Sequence, residues 1–402
     1  MRVMKFLVIL MALACVPLLS HAAEVKLTSS TQMLWYQDIL ADQSEKDAAQ
    51  YLRMSATKID DEGKLNIYGY GRASKVFSSP SEDLQGRLYY FYVDYRNAFK
   101  DHLDVRAGRT YVNAAAISGT VDGLYADVKN LGPVGVTLFG GRHVIFEEKN
   151  EIGTRGDALA GMSVYLDTIK NTHVEVSFGR KYGDTDITRE LLGLDFSTTP
   201  HGMVNFYGRL KYDTTAETYN EMLFGAKVAP LKDLVIRGEY YNSYPTFDIT
   251  SIYSIFAVEQ YQEKSIAAEY QLTSKYRVSV KYAKENFDSD ADADVVEIGF
   301  LAKPIKDLTL NATYEQRSGY AGQLSGIRFY GEYKINKAAI LAGIDYDDFR
   351  REISREGTVK KYWAGLNYEF NKIVSAVVRV EDNVNFNYDN GYQGYIAVQL
   401  NY

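Results

Sequence analysis

Among its 402 residues the chain has one cysteine, seven prolines and two tryptophans. The cysteine, Cys15, sits in an apolar leader at the N-terminus, so the chain beyond it has no thiol. Disulfides, thiolate metal sites and covalently attached c-type haem are thereby excluded, and no cofactor is expected. Basic residues are outnumbered, 45 against 52 acidic ones, for a formal net charge of −7. Nucleic-acid binding needs a basic footprint, so nucleic acid is not an expected partner. Beyond the leader no apolar run approaches the roughly 20 residues of a membrane helix. Catalytic signatures are missing as well. His102, His143, His173 and His201 are scattered, with no nucleophile paired to a base, and Gly69-Tyr70-Gly71-Arg72 is too short for a phosphate-binding fingerprint. The chain is read as a non-enzyme.

What is present begins with that leader. Arg2 and Lys5 precede the uncharged run from Phe6 to Leu19, and Ser20-His21-Ala22 offers the small residues a signal peptidase reads. Residues 1–22 are therefore expected to be a cleaved signal peptide. Cys15 after Ala14 fits a lipoprotein signal poorly, because Ala12 is a weak residue three positions before such a cysteine and the apolar region would become very short. No linker or shift in composition divides the rest, so 23–402 is expected to be one domain.

Period-2 alternation runs through that domain. Tyr392, Gly394, Ile396, Val398, Leu400 and Tyr402 alternate with Gln393, Tyr395, Ala397, Gln399 and Asn401 up to the end of the sequence. Val204 to Tyr212, Tyr276 to Tyr282, Leu308 to Tyr314 and Val374 to Val380 behave in the same way. Side chains of a strand point alternately to opposite faces, so each segment is a strand with one apolar and one polar face. The 34 tyrosines fit such a wall, since their rings suit the level where hydrocarbon meets headgroups.

Short turns are expected near Asp60–Gly63, Lys100–His102, Leu131–Pro133, Thr168–Asn171, Thr198–Gly202, Pro230–Asp233, Thr273–Lys275, Pro304–Asp307, Asn336–Lys337 and Asn371–Lys372. Longer polar connections such as Ala41–Asp47, Ser78–Asp83, Asn242–Glu263, Phe287–Asp294 and Asp347–Gly357 fall between them. Short turns recur at intervals of roughly 30 to 42 residues, the length of two membrane strands plus a loop. Proline lacks the N–H a ladder needs, and all six prolines beyond the leader fall in the proposed turns or loops. The fold class is all-β: a transmembrane antiparallel β-barrel of about 22 strands (20 to 24), with short periplasmic turns and longer outer loops. A propeller or solenoid would show a repeated residue motif, and none is found.

If the apolar face meets lipid, the other face lines a wet lumen. It carries Arg106, Arg209, Lys211, Arg237, Glu239, Arg277, Lys281, Arg328, Glu332, Arg379 and Glu381. Opposite charges on neighbouring strands attract, so most of these are expected to pair across the wall, and a minority to contact a solute or a protein inside. No sharp ion selectivity follows from such a mixture. Asp288, Asp290, Asp292 and Asp294 alternate in one outer connection, but Ala293 and Gly299 stand where a calcium loop needs glycine and glutamate. A solvated loop is the reading, with a cation bridging to lipopolysaccharide as the alternative.

From the leader to Tyr402 the chain resembles a bacterial outer-membrane porin-type barrel. Such barrels present a C-terminal strand like Tyr392, Ile396, Val398, Leu400 and Tyr402 to their assembly machinery. In size, tyrosine content and segments such as Tyr68-Gly69-Tyr70-Gly71-Arg72 and Arg106-Ala107-Gly108-Arg109, it is also similar to the barrel subunit of porin–cytochrome conduits of metal-reducing bacteria. That resemblance implies a haem-free sheath around multihaem c-type cytochromes, carrying electrons across the outer membrane of a Gram-negative cell. It implies outer-membrane lipid, lipopolysaccharide and the barrel-assembly machinery as partners. Two alternatives stand beside it: a passive diffusion porin for small solutes, and a barrel enzyme or adhesin. Porins of about 16 to 18 strands already leave an aqueous channel, so either a loop narrows a barrel of this width, the strand count is lower, or a partner fills it. No plug domain precedes the first strand, expected near Lys26, and Asn242–Glu263 is the longest connection available to fold inward.

Overall fold

The computed structural model describes residues 23–38, 43–78, 84–146, 157–246, 260–287, 291–319, 322–351, 355–385 and 388–402. They form a single sheet of 22 strands. The first eight are β1 (Glu24–Asp38), β2 (Gln43–Thr57), β3 (Leu65–Val76), β4 (Gln85–Asn97), β5 (Leu103–Asn113), β6 (Ser118–Leu131), β7 (Val134–His143) and β8 (Ala158–Leu166). Next come β9 (Thr172–Gly183), β10 (Asp186–His201), β11 (Val204–Asp213), β12 (Thr218–Leu231), β13 (Leu234–Ser243), β14 (Tyr261–Thr273) and β15 (Tyr276–Phe287). The last seven are β16 (Ala291–Ala302), β17 (Leu308–Gly319), β18 (Gly322–Ile335), β19 (Ala338–Arg351), β20 (Arg355–Glu369), β21 (Val374–Asn385) and β22 (Tyr388–Asn401).

Every strand pairs antiparallel with its neighbours in sequence, and β22 returns to β1 through a register running from Thr28 opposite Asn401 to Tyr36 opposite Gln393. The seam includes the terminal residue, whose N–H and carbonyl both bond to Leu27, at 2.8 and 2.7 Å. The sheet is therefore a closed barrel, and closure leaves no unpaired edge.

All ten expected turns separate strands where the sequence places them. Pro133 and Pro304 lie in turns, but Pro200 and Pro230 lie in the last residues of β10 and β12. At both places the pairing register shifts, so the missing N–H costs no ladder bond. Strands reach further than the polar sequence suggested at the other end. β19 continues to Arg351 and β20 resumes at Arg355, so most of Asp347–Gly357 is paired strand. β2 begins at Gln43, within the expected Ala41–Asp47 connection, and β16 begins at Ala291. Asp292 and Asp294 are consequently ladder residues, while Asp288 and Asp290 lie outside the described residues. The leader, residues 1–22, also lies outside them, as does most of Asn242–Glu263.

The turn between β2 and β3 is held by one carboxylate. Asp60 Oδ1 accepts from the Leu65 and Lys64 amides at 2.8 and 2.7 Å, and Gly63 (φ 69) closes the turn onto the Asp60 carbonyl. These amides, Leu65 first, hold the Asp60 carboxyl below the ordinary carboxylate range. A depressed carboxyl stabilises the fold above its unfolded value, and that contribution is lost as pH falls through the folded value. Asp60→Ala is expected to lower the thermal unfolding midpoint in detergent slightly at neutral pH. The gap to wild type should close on acidification; a gap independent of pH would rule this account out.

Candidate functional site

The register divides the wall into two faces of opposite character. Across five neighbouring strands it aligns Val280, Ile298, Tyr314, Ile327 and Tyr346 on one face. On that face Val280, Ile298 and Ile327 expose about half of their surface. One residue along each strand the other face carries Lys281, Glu297 and Glu315. The C-terminal residues Tyr392, Ile396, Val398, Leu400 and Tyr402 are all exposed, and alternation sets them together on the apolar face.

All eleven charged candidates stand in ion pairs. Arg106 meets Asp94 at 3.3 Å, Arg209 meets Asp195 at 2.9 Å and Lys211 meets Glu221 at 2.9 Å. Arg277 lies 3.7 Å from Glu269, Lys281 3.0 Å from Glu263 and Arg328 2.6 Å from Glu315. These six cross between neighbouring strands. Arg237 pairs with Glu239 (3.6 Å), Arg379 with Glu381 (3.0 Å) and Glu332 with Lys334 (3.1 Å) two positions along a strand, and Lys361 reaches Glu381 from the next strand at 3.6 Å. Most of these groups are partly exposed, where such a pair contributes about 0 to 1 kcal/mol. They neutralise the face more than they stabilise the fold.

Tyrosine has a second use here that the composition did not reveal. Tyr165 donates its hydroxyl to Asp127 at 2.8 Å, Tyr207 to Glu239 at 2.6 Å and Tyr261 to Glu263 at 2.9 Å. Part of the tyrosine excess therefore serves the charged face as hydroxyl donors, in addition to the lipid-boundary belt. Asp292 and Asp294 are engaged within the wall: Asn286 and Lys284 contact Asp292 at 2.6 and 2.9 Å, and Tyr282 donates to Asp294 at 2.6 Å. Among the described residues no group of three His, Cys, Asp or Glu side chains is placed to hold a metal ion.

The most consequential feature is one the sequence reading missed. Ala114 to Ile117, joining β5 to β6, lies flat against the charged face of β9 and β10. The Ala115 N–H donates to Glu175 Oε1 and the Ala116 N–H to Ser177 Oγ, both at 2.7 Å, while the Ala114 N–H closes on the Ile117 carbonyl at 3.0 Å. These bonds satisfy amides that would otherwise be buried without partners. Beneath the segment the face turns apolar: Val112, Val121, Phe139, Leu159 and Leu191 form a buried cluster with Ala114, Ala116 and Ile117. The chain approaches so closely that a Cβ at Gly193 would overlap the backbone of Ala115 and Ala116, and one at Gly179 would overlap Ile117. Five large apolar residues on a charged face, opposite two glycines, are a signal once the register is known. Asn242–Glu263, the expected candidate for this role, lies mostly outside the described residues.

No family model and no curated protein matches this chain. Solved structures do. A BenF-like porin from Pseudomonas fluorescens Pf-5 is 9% identical, with 95% of this chain and 98% of that one covered at a TM-score of 0.50. Pseudomonas aeruginosa OpdQ is 10% identical (95% and 99% covered, TM-score 0.49), and Acinetobacter baumannii OccAB4 is 11% identical (94% and 98% covered, TM-score 0.49). The likeness to the BenF-like porin is one of fold: this chain is a porin-type β-barrel.

Proposed function

We propose that the barrel is an outer-membrane channel through which small polar solutes diffuse, with the charged face lining an aqueous interior. One observation carries the reading. The wall is a single sheet, and the register sorts exposed apolar side chains to one face and paired charges to the other. Closed barrels are one of only two structures that satisfy every backbone polar group within a bilayer. Charges left without water or partners are costly, so the charged face belongs on the wet side. Arg106, Arg209, Lys211, Arg237, Glu239, Arg277, Lys281, Arg328, Glu332, Arg379 and Glu381 then line the lumen. Tyr392, Ile396, Val398, Leu400 and Tyr402 are the segment offered to the assembly machinery. Ala114–Ile117 becomes an inward-lying element that narrows the bore beside β9 and β10.

The sheath around a multihaem cytochrome finds no support in the fold. A segment fastened to the charged face also counts against a bore cleared for a protein guest. The diffusion channel is therefore preferred. The purified barrel in a planar lipid bilayer is expected to produce stepwise, ohmic conductance. The reversal potential under a salt gradient should be small, because the wall charges are mostly paired. Bilayers that stay silent while the protein is inserted would overturn the channel reading.

A further inference from the structure

We propose that the outward face of β6 to β9 binds lipopolysaccharide, the phosphorylated glycolipid of the outer leaflet. An acyl chain lies in a groove over Gly140 and Ala160, and a phosphate meets Arg142 and Arg180 at its upper end. The proposal rests on the membrane placement in the channel reading, and not on ion flow.

The register arranges this face in rows that change character along the strands. Ala126, Leu138, Met162, Phe178 and Leu192 lie in one apolar row. Two residues further from the short turns at Leu131–Pro133 and Thr168–Asn171, Leu124, Gly140, Ala160, Arg180 and Glu190 form the next. The row beyond it holds Asp122, Arg142, Ala158 and Tyr182, with Arg109 opposite Asp122. Those turns belong to the periplasmic end, so the change from apolar to charged marks the outer boundary of the hydrocarbon. Among the described residues these two rows carry Arg109, Arg142 and Arg180 against Asp122 and Glu190, a surplus of one positive charge. Arg109 and Asp122 close on each other through two hydrogen bonds, at 2.8 and 2.9 Å. The surplus therefore lies toward β7 and β9.

Between these charges the wall is notched. Gly140 and Ala160 stand side by side, and the longer Leu124, Leu138, Met162 and Phe178 rise around them to bound a groove of about 490 Å³. Arg180 lies 5.1 Å over the Phe178 ring, at the charged end of the groove. Glu190 engages its Nε from β10, on the side away from the groove, and fixes the guanidinium without covering it: 41% of the side chain is exposed. Arg142 is exposed two strands away, across a span of ~10 Å that two arginine side chains can close. An acyl chain suits an apolar groove bordered by hydrocarbon, and guanidinium groups offer the forked donors that match phosphate. A second groove on the outward face is floored by Ala342 and Ala364. The charged residues of its lining are Glu381 and Asp382, which repel a phosphate. Shape is common to both grooves, and the cationic end singles out β6 to β9.

Native mass spectrometry of the full-length barrel in detergent, titrated with bisphosphorylated lipid A, tests this without a conductance measurement. Lipid A is the acylated anchor of lipopolysaccharide, and it is expected to bind several-fold more tightly than phosphatidylglycerol. Arg142→Gln combined with Arg180→Gln should weaken binding by roughly 10- to 100-fold, the range for a lost charged hydrogen bond. Gly140→Leu keeps every charge and fills the groove, and a Cβ there meets Ala160 at an ordinary 3.5 Å. It should weaken lipid A several-fold, whereas Ala364→Leu, which fills the second groove, should change nothing. Unaltered strand content by circular dichroism guards against misfolding. Lipid A binding that ignores both the arginine pair and Gly140→Leu, or equal binding of phosphatidylglycerol, overturns the site. Sensitivity to only one of the two changes overturns the half of the site that the silent change probes. The channel reading fails separately: a barrel that does not conduct yet binds lipid A through Arg142 and Arg180 keeps the site and loses the pore.

Discussion

Gly193→Val is expected to raise the single-channel conductance of the barrel and to lower its stability. Gly193 sits in the ladder between Ser177 and Lys211, hydrogen-bonded to strands on both sides. A side chain there would overlap the backbone of Ala115 and Ala116, and no rotamer of either residue can make room. Either the strand or the segment must move. The strand is tied by two ladders, whereas the segment is held by two side-chain acceptors, Glu175 and Ser177, and by its apolar underside. The segment is the weaker partner and lifts away. Uncovering Ile117 and its contacts forfeits burial worth about 1.5 to 3 kcal/mol for a side chain of that size. The Ser177 bond contributes about 0.5 to 1.5 kcal/mol and the bond to the charged Glu175 about 1.5 to 3 kcal/mol, so the total loss is several kcal/mol, spread over a 22-stranded barrel. Folding should survive while the bore opens. Gly202→Ala is the control, because a Cβ there meets nothing within 4 Å. If Gly193→Val inserts and conducts as wild type does, Ala114–Ile117 is not what narrows the pore.

The contrast between what the sequence revealed and what it hid has a physical origin. The β22 stripe from Tyr392 to Tyr402 was legible because lipid on one side and water on the other impose a strict period of two. Turns were legible because residues such as Asn336 (φ 52) and Gly63 (φ 69) mark a left-handed backbone. Asp347–Gly357 misled because its charges read as a loop. A strand that continues beyond the apolar belt has water on both faces, and there Arg350 pairs with Glu356 at 2.7 Å across the ladder. Polarity marks the limit of the membrane, not the limit of the strand. The inward segment was hidden for a different reason. Ala116 meets Ser177 across 61 positions of sequence, and nothing in Asn113-Ala114-Ala115-Ala116-Ile117 itself signals that contact.

Asp94→Ala is expected to destabilise the barrel by about 2 to 3 kcal/mol, within the range for hydrogen bonds to charged groups. Asp94 is completely buried, with Arg96 Nε at 2.5 Å on one oxygen and Arg106 Nε at 3.3 Å on the other. Removing the acid leaves two guanidinium groups beside each other without the carboxylate that joins them. Breaking a fully buried pair costs about 3 to 5 kcal/mol, but both arginines reach solvent, so water recovers part of that loss. Arg106 also keeps its place over the Tyr125 ring at 4.7 Å, which limits its freedom to turn away. Arg106→Ala should cost less, because Asp94 retains Arg96. Urea unfolding of the lipid-reconstituted barrel measures both, and the double variant isolates the coupling between the two residues. A loss for Asp94→Ala of about 0.5 kcal/mol or less, the scatter of ordinary surface substitutions, would show that the buried carboxylate does not organise this part of the wall. The same variant has an electrical consequence under the channel reading. Two arginines freed on the charged face add uncompensated positive charge to the interior, so the reversal potential under a salt gradient should move toward anion preference. Asp94→Asn keeps the shape of the side chain while removing its charge, and should reproduce that electrical shift with a smaller loss of stability.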